Sequence, residues 1–139
     1  MPDMREINRQ VIQEFRASGG RVGGQLANTP LLLLTTTGAR SGRPHTTPLM
    51  YLPDGGRFLV FASVMGAPRH PDWYRNLVAN PSVSVEVDGR ALPATAAVLD
   101  GPERERLWAT AVERYPFLAE HQARAGRRRI PVVALEPRA

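Results

Sequence analysis

Residues 35–49 read T-T-T-G-A-R-S-G-R-P-H-T-T-P-L, and they concentrate the chain's most distinctive chemistry. The run joins two apolar stretches, 31–34 and 49–52, which read as a strand and its antiparallel return. Most hairpin loops need roughly two to five residues, and this connection uses about seven. They are spent on Gly, Arg, Ser and Pro, with His45 and two threonines following. Gly38 and Gly42 let the backbone turn sharply and present N–H groups. Arg40 and Arg43 are permanent cations whose planar forks fit a phosphate or a carboxylate. The combination predicts a cradle for an anionic ligand beside a sheet. The plainer alternative is a long hairpin whose arginines serve solubility.

The rest of the composition excludes several other chemistries. The chain has no cysteine, which removes disulfides, thiol catalysis and thiolate metal sites. His45, His70 and His121 lie far apart, so no metal site is expected. All 18 basic residues are Arg; without lysine there is no Schiff-base nucleophile. The net charge of +5 raises nucleic acid as a partner. The arginines are dispersed, however, and the one cluster, Arg127-Arg128-Arg129, abuts a strand and lacks interleaved aromatics. A small anionic ligand is the better expectation, with no nucleic acid. No apolar run is long enough to span a bilayer, and the first residues do not resemble a secretion signal. A cytoplasmic protein is expected.

The elements that must position the cradle follow from periodicity. With 139 residues, 42% of them hydrophobic, the chain should form a single domain with one real core. Asp3 and Glu6 suggest a capping box, and Ile7, Val11 and Phe15 recur every fourth residue before Gly19-Gly20. This short amphipathic helix could pack on the body, act as a lid, or make a peripheral membrane contact. With the connector after it, it occupies residues 1–28, ahead of a cofactor-binding domain over 29–139. Strands are predicted over 31–37, 45–52, 57–64, 82–88, 91–99 and 130–136, with tight turns at Asp54-Gly55-Gly56 and Asp88-Gly89. Pro93 predicts an edge strand or a bulge. Pro71 opens a short helix carrying Trp73, Tyr74, Leu77 and Val78 on one face. Asp100 and Glu103 repeat the capping-box pattern ahead of Leu107, Trp108, Ala111, Val112 and Tyr115, and a second short helix comes after Pro116. Six mainly antiparallel strands with few, peripheral helices predict an α+β fold built on a small β-barrel.

Four blocks in order carry a resemblance: T-T-T-G-A-R-S-G-R-P, P-L-M-Y-L-P-D-G-G, H-P-D-W-Y-R-N-L-V-A-N-P and R-I-P-V-V-A-L-E-P. Over roughly residues 31–137 the chain resembles the deazaflavin-dependent nitroreductases and quinone reductases. These are split β-barrel proteins, akin to flavin reductases and pyridoxamine-phosphate oxidases, that use reduced coenzyme F420. The resemblance implies that Arg40 meets the anionic tail of the deazaflavin and that Ser41 and Gly42 complete the turn. His45 stands where many members have Arg, which implies a weaker, pH-dependent contact. Thr47, Pro48 and Leu49 match the strand beside the ring system, and Ala62 and Ser63 the facing strand. Val64 stands where some members have Lys. Trp73 and Asn76 match the short helix that completes the cofactor site.

The implied function is hydride transfer from reduced coenzyme F420 to an electron-poor acceptor such as a quinone, enone or nitroaromatic. On the substrate side Met50 stands where some members have Tyr, Tyr115 remains, and Leu118 and His121 replace later tyrosines. A more apolar acceptor pocket is implied, with Tyr115 and Ser63 as the hydroxyls that orient the acceptor or relay a proton. The alternatives are an FMN-dependent reductase and a non-catalytic carrier of a cofactor-like or apolar ligand. Either a monomer or a homodimer is compatible with this reading.

Overall fold

Seven antiparallel strands and four helices make up the computed structural model, which describes residues 4–20, 30–63 and 70–138. The helices are α1 (Met4–Ala17), α2 (Asp72–Ala79), α3 (Gly101–Arg114) and α4 (Phe117–Ala125). The strands are β1 (Leu31–Thr37), β2 (Pro44–Met50), β3 (Leu52–Asp54), β4 (Arg57–Phe61), β5 (Ser82–Val87), β6 (Arg90–Val98) and β7 (Val132–Pro137). The expectations placed on Asp3, on the connector 21–29 and on the segment 64–69, which includes Val64, lie outside the described residues.

The single strand expected over 45–52 is two strands. β2 pairs with β1 along its whole length, from Leu31↔Met50 to Thr37↔Pro44. After Tyr51 the chain changes partner, and β3 pairs with β4 through Leu52↔Leu59. The sheet order is β2-β1-β5-β6-β7-β4-β3, so two strands separated by one residue occupy opposite edges. That order requires the sheet to curl until its edges approach. The result is a split barrel, in which β2 comes back beside β4 across the seam.

Alternation along the strands sorts the side chains into two cores. Leu32 and Leu34 of β1, Val83, Val85 and Val87 of β5, and Val133 of β7 fill the barrel, which α2 closes with Trp73 and Leu77. Leu59, Phe61, Val132 and Ala134 point outward and meet Leu107 and Leu118 of the α3–α4 pair. The N-terminal helix packs on the body rather than standing apart. Phe15 is 3% exposed, and Arg16 pairs with Glu86 of β5 at 2.8 Å. Among the described residues no helix is long and apolar enough to cross a membrane.

Two local features differ from the sequence expectation. Pro93 lies on an interior strand, since β6 runs between β5 and β7 with no skipped residue. Its carbonyl accepts the Arg138 N–H at 2.8 Å, so its ring nitrogen faces the same side. The β6–β7 ladder ends at Ala94↔Pro137, so the missing donor costs only the second bond of the Pro93–Arg138 pair at the ladder's end. Asp100 does sit at the N-cap of α3, but its side chain makes no capping hydrogen bond. Glu103 instead reaches Arg57, which also bonds Asp54 and Glu136 and so ties the β3–β4 turn to α3 and β7.

Candidate cofactor and acceptor site

The strand directions bring the β1–β2 turn, the end of β4, the start of β7 and α2 to one end of the barrel. The turn is internally braced. The Gly38 N–H donates to the Arg43 carbonyl at 2.8 Å and the Gly42 N–H to the Gly38 carbonyl at 3.0 Å. Gly42 holds φ at +69°, in the left-handed region. The Arg43 N–H donates to Ser41 Oγ at 3.1 Å, and Ser41 Oγ lies 3.4 Å from His45 Nε2. A Cβ at Gly38 would stand 2.4 Å from Ser41 Oγ and 2.8 Å from His45 Nε2, so only glycine leaves room for that pair.

Asn76 of α2 pins this turn to the barrel. Its Oδ1 accepts the Ala39 N–H at 2.9 Å, and its Nδ2 donates to Thr36 Oγ1 at 3.1 Å. Both ends of a buried amide are thereby satisfied, which is what a buried polar group requires. Outside this frame Arg40, Ser41, Gly42, Arg43 and His45 are all exposed. Among the described residues neither Arg40 nor Arg43 forms a salt bridge.

β2 is unusual for a seven-residue strand in having no buried residue, although β1 beside it is largely buried. Opposed residues in an antiparallel pair share a face. Thr47 and Leu49 oppose Leu34 and Leu32, which face the barrel interior. His45 opposes Thr36 on that same face. Pro48 and Met50 therefore lie on the other face, and Met50 packs against the α3–α4 core. The predicted β2 residues thus divide between two faces. His45, Thr47 and Leu49 thus share the barrel-facing side of β2.

The facing wall is the end of β4. Ala62 is fully buried and its N–H donates to the Pro131 carbonyl at 3.1 Å. The Trp73 indole is 8% exposed and packs in the barrel. The resemblance places both residues at the cofactor, and both side chains belong to the barrel core, since α2 lies across the barrel end with its apolar face inward. Ser63 is held differently. Arg128 Nη2 donates to its carbonyl at 2.6 Å, and Arg128 Nη1 donates to the Ala62 carbonyl at 2.9 Å. Arg128 Nη1 also lies 3.1 Å from His70 Nδ1. Ser63 Oγ is 3.3 Å from His121 Nδ1. Burial and the nearby arginines Arg128 and Arg75 lower the His70 pKa, while burial and Arg124 lower that of His121. Both shifts favour the neutral ring.

Tyr115 does not reach this corner with a free hydroxyl. It is 9% exposed, lies in the α3–α4 core, and donates to the Tyr51 carbonyl at 3.1 Å. Burial raises its pKa, which keeps the phenol protonated. Leu118 is 1% exposed in the same core. His121 is the residue of that helix that faces Ser63. Its ring lies 5.2 Å from the Phe117 ring, whose centroid is in turn 5.9 Å from that of Tyr115.

Sequence reasoning did not find Arg128. Nothing distinguishes it locally from Arg127 and Arg129, and its role depends on carbonyls more than sixty positions away. A shallow cleft of about 210 Å³, lined by His70, Tyr74, Asp100, Arg104 and neighbours, lies behind this clamp rather than at the seam between β2 and β4.

A split barrel with a cationic glycine turn at its open end defines a small cofactor-binding protein of the flavin-reductase type. Comparison with known proteins is more specific. Residues 7–137 match the F420H(2)-dependent quinone reductase family, and the chain belongs to it. It is 40% identical over 131 residues to an F420H(2)-dependent quinone reductase of Mycobacterium tuberculosis, covering 89% of this chain and 85% of that protein. A solved F420-H2 dependent reductase, FDR-A, is 47% identical with a TM-score of 0.70, over 77% of this chain and 94% of that one. A second solved structure, described as a domain-swapped dimer, is 42% identical with a TM-score of 0.73, over 92% and 96% of the two chains.

Proposed function

We propose that this chain reduces a quinone with hydride drawn from F420H2, and that the Gly38–Arg43 turn is where it grips the cofactor's anionic end. The observation that carries the second part is the state of the two arginines. Arg40 and Arg43 stand exposed on a turn that Asn76 and Gly38 hold in shape. A frame with built-in bracing and open charge suits an anionic group supplied from outside. Family membership favours the deazaflavin over FMN.

When bound, the cofactor supplies the hydride. The chain's own residues do the rest. Arg40, Arg43, Ser41 and the Gly42 backbone bind the anionic tail. His45, Thr47 and Leu49 line one side of the seam. β2 is the outermost strand of the sheet among the described residues, and its outer edge offers backbone groups to the ring system. Ser63 presents a hydroxyl on the opposite wall for the acceptor's oxygen. Tyr115 is assigned to the packing of α3 rather than to the reaction. A homodimer is the assembly this reading expects, and sedimentation of the purified protein tests it.

Stopped-flow mixing of protein, F420H2 and menadione tests the function. Oxidation of the deazaflavin should depend on both protein and quinone. Absence of turnover with quinones, with tight cofactor binding retained, would turn the reading towards a carrier.

A further inference from the structure

The α4 helix carries His121, a half-buried ring packed beside Phe117 that faces the proposed reaction corner through Ser63. We infer that His121 is a positioning residue that supplies the proton delivered through Ser63 to the acceptor's oxygen. The inference rests on the proposed quinone reduction and extends it to the second half of the chemistry. Hydride transfer alone leaves a negative oxygen, and a proton must arrive to give the quinol.

The geometry is specific. His121 Nδ1 stands 3.3 Å from Ser63 Oγ. Ser63 itself cannot drift, because its carbonyl and that of Ala62 are held by the two terminal nitrogens of Arg128. With the Ser63 proton turned towards the acceptor, its oxygen accepts the Nδ1 proton of His121. The step then balances. The Oγ–H bond breaks as the acceptor's O–H bond forms, the Nδ1–H bond breaks as Oγ is reprotonated, and Nε2 takes a proton from bulk water. The two electrons come with the hydride from F420H2, and the ring ends neutral in its other tautomer. The Arg128 cation, bonded to the Ser63 carbonyl, favours negative charge developing at this corner.

Among the described residues the charged and titratable groups facing His121 can be named. Glu120 and Arg124 flank it on its own helix. From the end of β4 it meets the uncharged Ser63, and from the start of α4 the Phe117 ring. Burial and Arg124 outweigh Glu120, so the ring's pKa falls below the usual histidine value.

The test compares wild type with His121→Phe, which keeps an aromatic ring beside Phe117, and with Ser63→Ala. His121→Phe should lower the rate of quinone reduction by about a hundredfold, in line with lost general-acid assistance. F420 affinity should stay within about twofold. Wild-type turnover should rise as pH falls through the His121 pKa, where the imidazolium is the stronger acid, and that rise should vanish in the variant. A second readout needs no cofactor. The ¹⁵N imidazole resonances of His121 in the free protein should show Nδ1 hydrogen-bonded, and they should move in Ser63→Ala. Resonances unmoved by Ser63→Ala, or an unchanged rate and pH profile in His121→Phe, would overturn the inference. Failure of wild type to reduce any quinone would instead count against the function itself.

Discussion

The two walls of the barrel's open end use arginine in opposite ways. On the β1–β2 side Arg40 and Arg43 are exposed on a turn held by other residues. On the β4 side Arg128 is half-buried, and its guanidinium is given over to the carbonyls of Ala62 and Ser63. Burial and partners alone separate the roles. Where charge faces solvent and the frame is otherwise complete, it is available to a ligand. Where charge is taken out of water, it must be met by oxygens of the chain, and it becomes scaffold.

Arg128→Met should break this contrast most visibly. It leaves two carbonyls short of a donor, at roughly 1–3 kcal/mol for each buried polar group left unmet. Thermal denaturation should show a melting temperature several degrees lower. Quinone reduction should fall as well, because Ser63 loses its anchor. A melting temperature equal to wild type would place Arg128 with the ligand-facing arginines.

Asn76→Ala sharpens the same contrast from the cradle's own frame. It removes the partner of the Ala39 N–H and of Thr36 Oγ1, which should cost about 1–3 kcal/mol of stability. It should also weaken F420 binding although nothing charged has been removed. Urea unfolding and a cofactor titration read the two effects. Weakened binding with unchanged stability would make Asn76 a direct contact, as the family resemblance implies. Tyr115→Phe should have the smallest effect. One hydrogen bond to the Tyr51 carbonyl is lost, worth about 0.5–1.5 kcal/mol. Turnover with menadione should be unchanged, and a tenfold loss would return Tyr115 to the reaction.

What the sequence disclosed depends on the range over which each feature is determined. β1, the Asp88-Gly89 hairpin and α2 depend on neighbours a few positions away, and they fall where periodicity and turn residues place them. Asp88 and Gly89 take φ of 51° and 74°, as a tight hairpin demands. The β1–β2 turn is legible for the same reason, since Gly38, Arg40, Ser41 and Gly42 lie within it. The break at Tyr51 is not. Residues 45–52 read as one strand, and only the closing of the barrel requires them to serve two partners. The burial of Ala62 and Trp73 is likewise set by packing across the barrel end, between segments far apart in the chain. The corner of Ser63, His121 and Arg128 draws on three distant segments, so no local pattern could announce it.

Open charge on the Gly38–Arg43 turn, binding the anionic end of F420, is the feature on which the proposed function turns. Fluorescence titration of wild type and Arg40→Ala with F420, and with FMN as competitor, at two salt concentrations tests it most directly. Wild type should bind F420 in a way that FMN does not displace and that weakens as salt screens the exposed cations. In Arg40→Ala, affinity should fall about ten- to a hundredfold, the worth of a charge-assisted contact of roughly 1.5–3 kcal/mol, with no change in melting temperature. Equal dissociation constants for wild type and variant, or FMN bound in preference to F420, would contradict it.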